Sequence, residues 1–278
     1  CEKFKVPYSE ISTKADDYRA KRISKYLNLI NQLAENKISD LKEVAAGKTS
    51  EIRDYFSMLP DNSTLKMEFR KLTAKYFNVP EIKSWLQENL SMGSIDVNIM
   101  TKVDKENYLE GEQLPIEMND AHASLRGFAM SELSSSLVLS AGFNPRLYGA
   151  LEQYEDFYPS IDGIIKKKIV LKVSDFRSAL IQGKFLAKKG LWVSEFRIES
   201  GLNCGGHAFP TEGVLLGPIL AEFRDQKDTL KAELFDILKN ALAKKNRPVP
   251  NDLLDLRITA QGGVGTAEEH QFLLQFYE

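Results

Sequence analysis

The stretch Glu199-Ser-Gly-Leu-Asn-Cys-Gly-Gly-His207 holds the residue types best suited to chemistry. An apolar run, Leu191-Trp-Val-Ser-Glu-Phe-Arg197, leads into a loop with three glycines that ends in an imidazole. Glycines let a backbone approach a bulky ligand closely, and their N–H groups can face an anion or a ring system. A histidine titrates near neutrality, so His207 just past a strand end is suited to proton transfer. The same loop also reads as a plain turn whose histidine caps or packs locally. A second stretch, Thr259-Ala-Gln-Gly-Gly-Val-Gly-Thr266, ends an apolar strand on Gly262-Gly263 and offers Thr266 as the cap of a following helix. Free N–H groups at such a helix start make a phosphate seat, although a left-handed turn plus a helix cap has the same sequence. Asn98 near the end of Val97-Asn-Ile-Met100 can donate to and accept from a ligand, or can serve as an edge residue.

Other groups offer less. Cys204 and His207 are spaced as a metal pair, but no second pair accompanies them, so no metal site is expected. His122 and His270 fall on expected helices, at surface or boundary positions. Lys166-Lys-Lys168 and Lys188-Lys189 lie at a strand start and a helix end, where solvated lysines are common.

These groups need elements to position them. Residues 1–91 read as helical: Ile23, Leu27, Ile30 and Leu33 line one face, and Pro60-Asp61-Asn62-Ser63 interrupts before further helices near Ser63 and Pro80. From Met92 on, β-prone runs at 94–100, 136–140, 168–173, 191–197 and 253–259 alternate with loops and helical stretches. That alternation predicts parallel βα units, an α/β fold over 92–278. The glycine-rich phosphate pattern lies in the last unit, not the first, which argues against a dinucleotide-binding fold.

Composition narrows the function classes. With 37 Lys+Arg against 39 Asp+Glu, no global field draws the chain to nucleic acid or to an anionic membrane. No apolar run is long enough to span a bilayer. Two cysteines cannot form a disulfide framework, so a reducing cytoplasm is the expected compartment. Cys1 in place of Met and a helical pattern running to Glu278 read as a fragment.

Taken in order, Val97-Asn-Ile-Met100, Ser140-Ala-Gly-Phe-Asn-Pro145 with Tyr148, Cys204-Gly-Gly-His207 and Ile258-Thr-Ala-Gln-Gly-Gly-Val264 resemble motifs of the nitronate monooxygenases and flavin-dependent enoyl-acyl-carrier-protein reductases. That resemblance implies a partial (β/α)8 TIM barrel holding strands three to seven, with FMN as cofactor and oxidoreductase activity. It places Asn98 on the flavin or its ribityl chain, Gly142 and Asn144 in the pocket wall, Gly205 and Gly206 against the FMN, His207 beside the substrate, and Gly262 and Gly263 at the phosphate. The chain departs from the pattern at Asn203, where the family has an acid, and its helical first 91 residues have no counterpart there. The rival expectation is a non-catalytic barrel module that binds a phosphorylated ligand or a protein partner.

Overall fold

A computed structural model describes residues 4, 6–7, 9–43, 49–74, 78–100, 104–140, 142–199, 216–262 and 264–277. The chain divides into two compact units, Tyr26–Ser94 and a larger one made of Cys1–Lys25 with Ile95–Glu278. Residues 1–25 thus group with the sheet-bearing unit, while the change of texture after residue 91 lies close to the observed division.

The smaller unit is helical. It contains most of α1 (Tyr18–Lys42), then α2 (Thr49–Met58), α3 (Thr64–Thr73) and α4 (Val79–Asn89). Ser63 caps α3 by accepting from the Lys66 amide, and Pro80 opens α4 where its missing N–H costs nothing. Phe56 stacks on Phe69 with ring centroids 3.8 Å apart, inside a core completed by Leu41, Ile52, Ile82, Leu86 and Leu90. Lys66 is buried, and its ammonium donates to the carbonyls of Ser57 and Leu59 past the end of α2 while pairing with Asp61.

The larger unit carries β1 (Val97–Met100), a hairpin β2 (Tyr108–Leu109) and β3 (Glu112–Gln113), α5 (Asp120–Ala129), β4 (Ser135–Ser140), α6 (Pro145–Ala150), β5 (Lys167–Val173), α7 (Phe176–Ala187), β6 (Val193–Glu199), α8 (Leu216–Lys244), β7 (Arg257–Gln261) and α9 (Ala267–Tyr277). The main sheet is parallel throughout and ordered β1-β4-β5-β6-β7, so each new strand is added beside the last without a reversal. Among the described residues β1 and β7 are open edges, and no barrel is closed. The α/β class and parallel units expected from sequence are therefore present.

Parallel crossovers are right-handed, and crossovers that all advance one way gather their helices on one face of the sheet. That face is apolar. In register, Ile99, Leu139, Leu171, Phe196 and Ile258 form one row across all five strands. A bulge at Ser194 leaves Val193 opposite Ile169 and Phe196 opposite Leu171, so both side chains stay on this face. Helix α7 approaches closely through Gly183, where a Cβ would meet Leu234 of α8 at 2.9 Å and Phe196 at 3.0 Å. One charge enters the apolar side. Lys167, 0% exposed, donates to the carbonyls of Phe128, Ser131 and Leu133 at 2.8–3.1 Å, capping the end of α5, and lies 4.7 Å from the Phe128 ring. Burial pushes its ammonium pKa down to about 8.

The last strand starts later than its sequence suggests. Leu254 and Leu256 are buried, and Trp192 Nε1 donates to the Asp255 carbonyl, so 253–256 packs as an irregular segment before the ladder begins at Arg257. No described helix is long and apolar enough to cross a membrane.

Candidate functional site

Strand side chains alternate between faces, so the residues between the apolar rows emerge on the sheet's second face. At its centre Val138 and Val170 are buried. Toward the C-terminal strand ends the face turns polar, presenting Asn98, Ser140, Lys172, Glu195, Arg197, Glu199, Thr259 and Gln261. Parallel α/β sheets place their ligands at this end of the strands.

The polar residues form two linked pairs. Lys172 Nζ lies 2.8 Å from Glu199, and the two side chains are only 12% and 17% exposed. Gln261 Nε2 donates to the same carboxylate from the neighbouring strand, 3.5 Å away. Arg197 Nε lies 2.8 Å from Glu195 Oε1, which also accepts from the Thr259 hydroxyl at 2.7 Å. Across the sheet, Ser140 Oγ donates to Asn98 Oδ1 at 2.7 Å. Partial burial strengthens such charge pairs relative to surface ones and holds each head group in a fixed place.

The residues expected from sequence divide among these elements. Asn98 stands on the polar face, engaged by Ser140. Gly142, two residues past β4, has φ 109°, and Gly262, directly after β7, has φ 81°; both need the left-handed freedom of glycine. Asn144 is spent locally, since its Oδ1 accepts from the Leu147 amide and caps α6. Tyr148 from the same loop is buried, and its hydroxyl donates to Gln182, so it serves packing. Gly205, Gly206, His207 and Gly263 lie outside the described residues, as do Asn203 and Cys204. Asn98 and Gly262 belong to opposite edges of the sheet, four strand spacings or about 19 Å apart along it.

Two amides at the start of α9 are already engaged. Glu269 Oε2 accepts from the amides of Gly265 at 2.6 Å and Thr266 at 3.1 Å, while Thr266 Oγ1 accepts from the Glu269 amide. This capping box places a carboxylate of the chain itself on those two amides, so an arriving phosphate would meet negative charge there.

The polar face leaves only a faint trace in the sequence. Its signal was the alternation in Lys-Ile-Val-Leu-Lys-Val173 and Val-Ser-Glu-Phe-Arg-Ile-Glu199, where charges fall between apolar residues inside strands that otherwise read as core. Among the described residues no three His, Cys, Asp or Glu side chains gather as a metal site. No protein-family model, curated protein or solved structure matches the chain.

Proposed function

We propose that this chain belongs to an FMN-dependent oxidoreductase of the nitronate monooxygenase and enoyl reductase type, acting on a small molecule at the C-terminal end of the polar sheet face. The observation that carries the reading is the strand order. Five parallel strands added in sequence follow the winding of a (β/α)8 barrel, whereas a dinucleotide-binding sheet reverses direction at its centre. Left-handed glycines at the ends of β4 and β7 support it, because each opens the backbone where a ligand ring or chain would pass.

The flavin fits this chain in part. Asn98 on β1 and Gly142 in the loop after the adjacent β4 suit its ribityl and ring side. The α9 start does not suit its phosphate while Glu269 holds the Gly265 and Thr266 amides. Bound flavin would supply two-electron transfer at its ring; the chain's own residues would orient the ligand through the fixed head groups of Lys172 and Arg197.

The test is a titration of the purified full chain with FMN and with riboflavin, followed by quenching of flavin fluorescence. The expected result is saturable quenching by both, with little preference for FMN. Glu269→Gln should then favour FMN over riboflavin, since the two amides become available. Absence of quenching by either flavin, in the chain and in Glu269→Gln alike, would overturn the proposal. A second reading, a non-catalytic module for a phosphorylated ligand or a protein partner, is favoured by the pairing of Lys172 with Glu199 and of Arg197 with Glu195. That pairing leaves little charge free for proton transfer. Saturable binding of a sugar phosphate with no flavin response would select it.

A further inference from the structure

A cavity of about 610 Å³ opens in the helical layer of the larger unit, between α5, α6 and the short 3-10 turns at Ile116–Met118 and Leu151–Gln153. It is lined in part by residues of the first turns of two helices, His122 of α5 and Arg146 of α6, together with Leu125, Arg126, Gln153 and Tyr154. Its size falls in the range of small-molecule pockets, roughly 300–1,000 Å³.

What distinguishes it from a packing crevice is its hydrogen-bonding capacity. His122 is only 5% exposed, a burial that ordinarily requires its polar atoms to be engaged. Asp104 Oδ2 lies 3.3 Å from its Nδ1, without the alignment of a hydrogen bond. Its Nε2 has no partner among the described residues. Nor do the Arg146 guanidinium or the Gln153 amide, while the Tyr154 hydroxyl lies in the field of Arg126 and Asp17. Arg126 is committed elsewhere: it grips Asp17 through two bonds of 2.6 and 2.8 Å and donates to the Glu117 carbonyl. It therefore contributes a fixed wall, while Arg146 is exposed and free to close on a ligand. Arg146 and Gln153 offer donors, exposed Glu117 places one carboxylate on the lining, and Leu125 and Ile116 supply an apolar wall beside them.

An unpaired guanidinium is a planar fork that matches a carboxylate in two parallel bonds. An apolar wall suits a ligand with a hydrocarbon body. We infer that this cavity binds a small organic carboxylate, its carboxylate held by Arg146 and its body lying against Leu125 and Ile116 beside the His122 imidazole. The site is separate from the sheet face and stands whether or not the flavin reading does.

The test is a titration of the full chain with benzoate and, separately, with inorganic phosphate, following the imidazole proton resonances. His122 is assigned by its loss in His122→Gln. The expected result is a saturable shift of the His122 signals with benzoate. Arg146→Gln should weaken it about tenfold or more, the worth of one charge-assisted bond. Arg146→Lys should recover only part of the affinity, because an ammonium cannot form the fork. No benzoate response at His122, or an equal response in Arg146→Gln, would overturn the inference. A phosphate response as strong as that to benzoate would overturn the carboxylate assignment, since the apolar wall would then contribute nothing.

Discussion

Lys167 and Lys172 leave the same strand on opposite faces of the sheet and meet opposite treatment. Lys167 enters the helix-covered face, where three carbonyls at the end of α5 receive its ammonium and, among the described residues, no carboxylate pairs with it. Lys172 enters the second face, where Glu199 answers its charge directly. The first arrangement spends a charge on architecture: it closes the open end of α5, whose terminal carbonyls carry partial negative charge. The second keeps charged head groups near the strand ends, partly in contact with solvent and available to a ligand. The two faces thus divide the labour, one bearing stability and the other carrying groups fit for recognition.

The most severe way to probe that division is to cut one residue from each face of β6. Phe196 is 0% exposed and packs against α7 and against Phe223 of α8. Phe196→Ala should cost about 3–5 kcal/mol of unfolding free energy, from lost transfer energy plus a cavity. Its neighbour Arg197 points the other way, and Arg197→Ala should cost less, about 1–2 kcal/mol, because the pair is only partly buried and Glu195 keeps the Thr259 hydroxyl. Urea midpoints of the two variants check this. Equal losses would mean that the polar face is structural and would end the comparison.

The next effect belongs to Lys167 and depends on pH. With its folded pKa lowered to about 8 from 10.5, the unfolded chain binds more protons between those values. Stability contributed at this site therefore rises with pH across that window, with a slope of at most about 1.4 kcal/mol per pH unit. Lys167→Met removes the titration. The wild-type unfolding free energy should climb relative to the variant between about pH 7 and about pH 10, read from denaturant curves at the two values. A constant difference between the two proteins would show that the ammonium is not desolvated and that β5 treats its two lysines alike.

Much of this division was present in the sequence in a form that strand propensity alone does not separate. The five parallel strands were legible because Val, Ile and Leu recur in short runs bounded by Gly, Pro and Asn. The loops after β4 and β7 were legible from Gly142 and Gly262, whose left-handed backbone is the turn chemistry their sequence implies. Other features depended on partners distant in sequence. Lys167 reads as a solvated lysine in a run of three, and only the end of α5, some forty residues earlier, makes it a cap. His122 reads as a helix-surface residue until the fold brings Asp104 to one side and the α6 cavity to the other. The Thr-x-x-Glu pattern from Thr266 forms a capping box that engages the Gly265 and Thr266 amides, while Gly263 of the expected phosphate seat lies outside the described residues. The late start of β7 reflects tertiary packing of Leu254 and Leu256, which outweighs their place in a strand-like run.

The smallest effect is also the one that looks most closely at how the polar face is held. Thr259, on the edge strand β7, donates to Glu195 of β6, while Arg197 pairs with the same carboxylate oxygen. Thr259→Val keeps the side-chain shape and removes the hydroxyl, which should cost about 0.5–1.5 kcal/mol. The loss is limited because Glu195 keeps its guanidinium. A double-mutant cycle with Glu195→Gln isolates the cross-strand bond from changes in strand propensity, since only residues in contact couple. A coupling of about 0.5–1.5 kcal/mol would mean that the polar face fastens the edge strand as well as presenting its charges. A coupling near zero would leave β7 fixed by its backbone ladder and its apolar row alone, with Glu195 and Arg197 free to reorganise around a ligand.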